Sequence, residues 1–418
     1  MSVKENILIS HPTGNANSRA VVNGLNKAGI LYGFHTCIAC LKGSLLYRLS
    51  GYRLLKEFRK REFDQNLLGK VITHPWRELG RQIAAKFGFV SLLEHEKGLF
   101  CIDSIYKSFD KKIASYLNKH KSHVAAVYAY EDGAYETFKT AKHINKLCIY
   151  DLPIGYWRSM HRLMQEEFDK NPDWSSTLGG FNDSKEKLER KDLELKLADK
   201  IYVASSFTKN TLADYPYQLA DVEVIPYGFP PVNQSRQYQP LEGRKLKVLF
   251  VGGLSQRKGL SYLFDSVRNL KEKIALTVVG RGNTSGCPIL CKELQDVNYI
   301  PALPHEEILT LMANADVLVF PSLFEGFGLV ITEAMSQGTP VITTERTCGP
   351  DLITHGVDGW IVEAGNADSI TLILTSLLEN PESVAIVGKN AMKTAAKRPW
   401  ACYENELTKS IKQFVDGR

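Results

Sequence analysis

Lys247-Val-Leu-Phe-Val-Gly-Gly253-Leu-Ser-Gln-Arg257-Lys258-Gly259 is a short apolar run that ends in paired glycines and feeds the helical pattern of residues 260–270. Such a run reads as the first βα unit of a parallel sheet, whose strands are covered on both faces and therefore need no polar alternation. The chain holds a second opening of the same kind. Asn6-Ile-Leu-Ile-Ser-His11 leads through Pro12-Thr-Gly14-Asn15-Ala-Asn-Ser18 into the helical pattern of residues 19–28. Further apolar runs follow the two openings, at 124–128, 147–150 and 200–204, then at 275–280, 317–320, 340–343 and 359–362. Strands alternating with helical segments predict an α/β chain of two doubly wound, Rossmann-like domains facing a cleft. The proline- and glutamine-rich stretch 228–240 reads as the linker. Residues 1–228 are then the first domain and 241–398 the second. Residues 399–418 read as a C-terminal helix, periodic through Trp400, Tyr403, Leu407, Ile411 and Phe414, that caps either domain or crosses back to the first.

A length of 418 residues, 44% apolar and 23% charged, fits two globular cores and excludes a disordered, collagen-like or disulfide-stapled chain. No run of 18 apolar residues is present, and the first ten residues have too short an apolar core for a signal peptide. Eight cysteines suit a reduced cytoplasmic setting. The net charge of +6 is unevenly spread: residues 1–150 hold 23 Lys and Arg against 12 Asp and Glu, and the remainder 29 against 34. That excess has two readings, an anionic partner or a solvated positive surface. Residues 41–63, with seven basic and two acidic side chains, carry Leu45, Leu49, Tyr52, Leu55 (or Lys56) and Phe58 near helical spacing. They either touch an anionic membrane, at its inner face, or pack their apolar side on the core.

The chemistry is densest in Phe320-Pro-Ser-Leu-Phe-Glu325-Gly326-Phe327-Gly328-Leu329-Val-Ile-Thr-Glu333-Ala-Met-Ser-Gln-Gly-Thr-Pro340. Glu325 follows a strand, at the sheet edge where open α/β sheets bind ligands. Gly326 and Gly328 let backbone approach a ligand, and a helix starting near Gly328 offers free amides to an anion. Glu333, farther along that helix, suits a vicinal diol such as a ribose. A carboxylate for sugar hydroxyls, glycines for phosphate and a second carboxylate for ribose together fit a nucleotide-sugar.

The spacing of Glu325 and Glu333, with Gly326-x-Gly328 and Gly338-Thr-Pro340, resembles the donor-site motif of family 4 retaining glycosyltransferases of the GT-B fold. The resemblance extends over most of the chain: 247–259 is similar to the family's second-domain opening, Pro226-Tyr-Gly228 to its interdomain passage and Trp400 with its helix to the crossing C-terminal helix. It implies transfer of a sugar, with retention, from a nucleoside-diphosphate sugar to a glycan or lipid-linked acceptor entering over the first domain. Glu325, Lys258, Arg257 and Asp151 are then the catalytic candidates. Glu333, Gly326, Phe327, Gly328, Leu329, Gly253, Gly14 and Asn15 are the donor-binding ones. Many members carry Arg at the position of Gly253 and His at that of Tyr150, so the guanidinium falls to Arg257. The histidine's role falls to Asp151 or Tyr150, unless Asp151 only caps a loop. Asp132, after another apolar run, is a further candidate for the cleft.

The chain has no Asp-x-Asp, the usual source of hard oxygen ligands for a divalent ion on a diphosphate, so no metal and no cofactor is expected. Cys37-x-x-Cys40 lacks a second pair at zinc spacing, and Gly280-x-Gly282 misses the dinucleotide fingerprint. No nucleic-acid partner is expected. The alternatives to transfer are epimerisation or hydrolysis of a nucleotide-sugar, and a partner subunit that binds without turnover.

Overall fold

The computed structural model describes residues 6–43, 47 and 61–417; most of the basic stretch 41–63 lies outside them. Two parallel sheets organise the chain. The first has strands β1 (Ile7–Ser10), β2 (Leu31–Thr36), β3 (Val71–Thr73), β4 (Ala126–Tyr130), β5 (Leu147–Leu152), β6 (Lys200–Val203) and β7 (Asp221–Val224), in the order β3-β2-β1-β4-β5-β6-β7. The second has β8 (Leu246–Val251), β9 (Ile274–Val279), β10 (Asn298–Ile300), β11 (Val317–Phe320), β12 (Val341–Thr344) and β13 (Trp360–Val362), in the order β10-β9-β8-β11-β12-β13. Every residue of β1, β4 and β11 is buried, which is why those segments read as unbroken apolar runs. The strand order reverses beside β1 in one sheet and beside β8 in the other, so each has a crevice at its carboxyl edge, between β1 and β4 and between β8 and β11.

The chain passes between domains at two adjacent places. Phe229 N donates to Arg398 O at 2.8 Å, and a side chain at Gly228 would place its Cβ 2.3 Å from Trp400 Cα. After the second passage the helix Trp400–Asp416 lies on the first-domain helix Ala16–Lys27, so the C-terminal helix crosses back. Its buried Tyr403, Leu407 and Ile411 recur every fourth residue, and each buried side chain contributes roughly 1.5–3 kcal/mol. Gly24 allows this approach, since a Cβ there would sit 2.4 Å from Thr408 Oγ1. Lys27 pairs with Glu404 at 2.6 Å, and Tyr202 OH meets Ser410 Oγ at 2.8 Å.

The domains also touch across the cleft. Ser205 Oγ and Thr208 Oγ1 donate to Gly326 O at 2.6 and 2.9 Å. Glu167 accepts from Gln256 Nε2 at 2.6 Å and from Tyr262 OH at 2.8 Å, and Ser255 Oγ donates to Thr177 O at 2.8 Å. The loops after β8 and β11 are therefore held from the first domain as well as from their own sheet.

Candidate functional site

The loop after β8 tightens into one 3-10 turn, Gln256–Lys258, capped by Ser255 and closed by Gly259 in the left-handed region at φ 72°. Only glycine fits that closing position: a Cβ would stand 2.0 Å from Pro321 O. The turn is tied to the loop after β11, because Arg257 O accepts from Leu323 N at 2.9 Å and Ser322 Oγ at 3.2 Å. Two loops far apart in sequence thus bring Arg257, Lys258 and Glu325 together. Lys258 Nζ contacts the Glu325 carboxylate and lies 4.8 Å from the centre of the Phe320 ring. Arg257 Nη1 donates to Phe324 O at 2.5 Å and is 3.5 Å from Glu325 Oε2.

All three side chains are largely shielded from water. Burial, and then the neighbouring Arg257 charge, push the Lys258 ammonium down to about 6; the Glu325 contact works in the opposite direction. Burial also lowers Arg257. Two partly desolvated basic side chains that share one carboxylate make a site where an incoming anion can take the carboxylate's place.

Gly328, at φ 91°, starts the helix Leu329–Ser336 and supplies no side-chain cap. The helix's positive end therefore faces the Glu325 side, with Glu325 Cγ 3.5 Å from where a Gly328 Cβ would be. Glu333 lies a turn and a half farther on. Burial raises its pKa, and His305 Nε2 approaches it at 3.9 Å from the start of the helix His305–Asn314. The sequence reading did not connect His305 with Glu333, because nothing in its neighbourhood ties it to a residue 28 positions away.

The other expected residues fall in varied places. Gly253 is exposed and faces open space, its nearest prospective Cβ neighbour being Arg281 O at 4.0 Å. A side chain there, such as the arginine of many relatives, would fit. Gly326 makes a close approach, but to the first domain: a Cβ would stand 2.0 Å from Pro153 O. Phe327 is buried against Tyr227, ring centres 4.7 Å apart, and Leu329 is half-buried. Gly14, at φ 61°, belongs to a turn whose amides at Thr13 and Gly14 donate to His11 Nδ1 at 3.1 and 3.0 Å. Burial pushes His11 down to about 3, so it stays a neutral acceptor. The side chain of Asn15 caps the helix Ala16–Lys27 by accepting from Ser18 N at 3.1 Å.

Asp151, expected among the reacting groups, is 3% exposed and accepts from Tyr128 OH at 2.6 Å. Burial raises its carboxyl to about 7, with the tyrosine hydroxyls opposing. Tyr150 points to the other face of β5 and donates to Glu194 Oε2 at 3.0 Å. Neither side chain opens on the cleft. Glu194, which the sequence reading missed, also accepts from the amides of Asp132, Ala134 and Tyr135 and so holds the loop after β4. Asp132 is paired with Arg190 at 3.1 Å. Among the described residues the one cluster with cation-ligand spacing is His95, Glu96 and Asp183, in the first domain, where Glu96 already accepts from Ser184 and Asp183 from Lys187. A cavity of about 440 Å³ separates Arg257, Ser255 and Phe324 from Trp157, Met160 and Met164 of the first domain.

Residues 231–394 match the family described as "Glycosyl transferases group 1". The MMP α-(1→4)-mannosyltransferase of Mycolicibacterium hassiacum is 28% identical over 229 residues, 52% of this chain and 53% of that one. The amylovoran biosynthesis glycosyltransferase AmsK of Erwinia amylovora is 29% identical over 179 residues, 40% and 44% of the two chains. The matched region thus spans about half the length of these curated relatives. Among solved structures, the sucrose-phosphate synthase of Thermosynechococcus elongatus superposes with a TM-score of 0.66 at 16% identity, covering 99% of this chain and 100% of that one. HepE of Anabaena, solved with UDP-glucose, gives 0.59 at 16% identity over 99% and 100%. Residues 231–394 are thus similar to the group 1 glycosyl transferases, and the whole chain shares the two-domain GT-B fold of these solved structures.

Proposed function

We propose that the protein is a retaining glycosyltransferase that moves a sugar from a nucleoside-diphosphate sugar to a glycan or glycolipid acceptor. One observation carries this reading: Arg257, Lys258 and Glu325 converge at the β8–β11 crevice, next to an uncapped helix start. A diphosphate entering there takes over Lys258 and Arg257 as its cations, and the first amides of the helix Leu329–Ser336 add their dipole. Glu325, released from Lys258, orients the hydroxyls of the transferred sugar, and Glu333 holds the ribose diol. The bond from the anomeric carbon to the phosphate oxygen breaks while the acceptor oxygen bonds to the same face of that carbon. The acceptor's proton passes to the departing phosphate oxygen. The protein's part is electrostatic: two fixed cations meet the charge that develops on the leaving group, without a metal or cofactor. The acceptor enters from the first domain, across the cavity beside Arg257.

Support for this donor class comes from the HepE structures with UDP and UDP-glucose, and for the acceptor class from relatives named for mannosyl transfer and amylovoran biosynthesis. Thermal-shift screening against UDP-, GDP- and ADP-sugars should show one group that raises the melting temperature. NMR of the product with that donor should show the anomeric configuration kept. A protein stabilised by no nucleotide-sugar, an inverted product, or release of free sugar with every acceptor would overturn the proposal.

A further inference from the structure

The helix Trp76–Phe87 is packed with its apolar face outward. Trp76, Leu79, Ile83 and Phe87 occupy i, i+3, i+7 and i+11, a single helical face, and are 66%, 36%, 55% and 66% exposed. The inward face is polar or small, with Glu78 and Ala84 buried. Glu78 is buried and accepts from Arg61 at 2.6 Å, Arg81 at 2.8 Å and Gln82 at 3.2 Å. The outward patch continues through Phe89 and Val90, and on to Leu99 and Ile102, all exposed. These last two flank Phe100, whose ring meets Trp76 edge-on at 6.0 Å and fills the space that Gly80 leaves open.

A cationic groove adjoins the patch. Its volume is about 680 Å³, and Arg77, Lys97, Lys107, Lys111, Lys112 and Lys119 line it. Arg77 links the two features, donating to Leu99 O at 2.9 Å and to Ser104 Oγ. Among the described residues no carboxylate lies within 4 Å of the ammonium groups of Lys111, Lys112 or Lys119. The lining carboxylate, Glu96, already accepts from Ser184.

We propose that this face docks the protein on an anionic lipid surface, the stripe entering the headgroup–acyl boundary and the groove taking lipid phosphates. The surface is built from residues other than 41–63 and the β8–β11 crevice, and does not depend on the donor chemistry. Both halves of the surface are needed to choose this occupant. A nucleic acid would use the cations but leave Ile83 and Phe87 in water, and an apolar protein partner would leave Lys111, Lys112 and Lys119 unmatched, Lys97 and Lys107 being already paired with Glu94 and Glu186. Only an interface that is apolar inside and anionic at its rim matches both.

Co-sedimentation of the full chain with phosphatidylglycerol-containing and with pure phosphatidylcholine vesicles tests this. Binding is expected to the anionic vesicles alone and to weaken with salt. The triple variant Lys111→Gln, Lys112→Gln, Lys119→Gln should lose about fivefold in partitioning per lysine, and most of the salt dependence. The variant Ile83→Ser, Phe87→Ser should lose about tenfold or more at every salt concentration, with melting temperature and UDP binding unchanged. No binding by the parent chain would overturn the proposal. So would a stripe variant that binds vesicles like the parent, whether it is unaltered in stability (a groove for soluble polyanions) or melts earlier (a stripe covered by residues 44–60 of the same chain). Single-stranded DNA held by the stripe variant as tightly as by the parent, with vesicle binding unaffected, would assign the groove to nucleic acid.

Discussion

The crevice between β8 and β11 and the tyrosine nest beneath β4 and β5 each bury a carboxylate, and the two carboxylates behave in opposite ways. Glu325 sits against Lys258 and Arg257, cations whose own charge is costly to keep out of water. Asp151 meets the hydroxyl of Tyr128, and among the described residues no basic side chain pairs with it. A buried carboxylate with movable cationic partners can be exchanged for an incoming anion. A buried carboxylate surrounded by rings can only hold or release a proton. Both are carboxylates shielded from water, and the partner decides which one can take part in phosphate chemistry.

The largest effect expected from this contrast is at Lys258. Lys258→Ala removes a cation from the leaving group and should lower kcat by about 10²–10³-fold, the range seen when one transition-state donor is lost. The melting temperature should stay close to that of the parent, because the ammonium is already disfavoured by burial. Glu325→Gln should lose transfer while retaining UDP binding. Full turnover by folded Lys258→Ala would reduce the crevice to an ordinary buried ion pair and erase its difference from the nest.

Two glycines sharpen the comparison within the donor side. Gly326→Ala forces a Cβ to 2.0 Å from Pro153 O, backbone that cannot swing aside, so the domains must separate locally. A destabilisation of about 1–3 kcal/mol is expected, with transfer reduced and the solution scattering radius increased. Gly253→Ala faces open space and should leave stability within about 0.5 kcal/mol. Equal effects of the two changes would show that Gly326 is not an interdomain contact.

The nest is tested by pH. Burial raises the Asp151 carboxyl from its ordinary 3.8 to about 7, so between those values the folded chain binds a proton that the unfolded chain has lost. Its contribution is complete below about pH 4 and disappears as pH rises to about 7, leaving a penalty with an upper bound of about 4 kcal/mol. Asp151→Asn keeps an acceptor for Tyr128 and removes the titration. Stability should then be flatter between pH 4 and 7 and higher than the parent's at pH 8, with transfer within about threefold of the parent. Loss of transfer on this change would return Asp151 to the reacting groups.

The sequence disclosed the doubly wound domains because their central strands are buried on both faces and appear as apolar runs, β1 and β11 most plainly. It did not disclose β2, where Gly33 and His35 interrupt the run, or the edge strands β3, β7 and β10, whose partly exposed residues carry no apolar block. In the site, the meeting of Arg257, Lys258 and Glu325 was legible because short loops closed by glycines fix where they point. Gly326 was legible as a close approach but not in what it approaches, since Pro153 lies 173 positions away. The surroundings of Asp151 and Tyr150 were not legible for a related reason. Adjacent strand residues face opposite ways, and only the packed neighbours, Tyr128 on one side and Glu194 on the other, tell that both faces are closed.

The smallest effect is also the one that separates the two carboxylate sites most cleanly. With Lys258 lowered to about 6, much of the ammonium is unprotonated near pH 7.5 before donor binds. A diphosphate replacing Glu325 brings more negative charge to the same place and raises that pKa. Binding should therefore take up a fraction of a proton, approaching one, and affinity should fall as pH rises above 6. Calorimetry in buffers of different ionisation enthalpy reads the uptake directly from the change in apparent binding heat. Lys258→Arg keeps a cation that does not titrate in this range and should bind UDP without uptake. Asp151→Asn should leave the uptake as it is in the parent. If the binding heat is the same in every buffer, Lys258 is fully charged before the donor arrives, and Glu325 rather than burial governs its protonation.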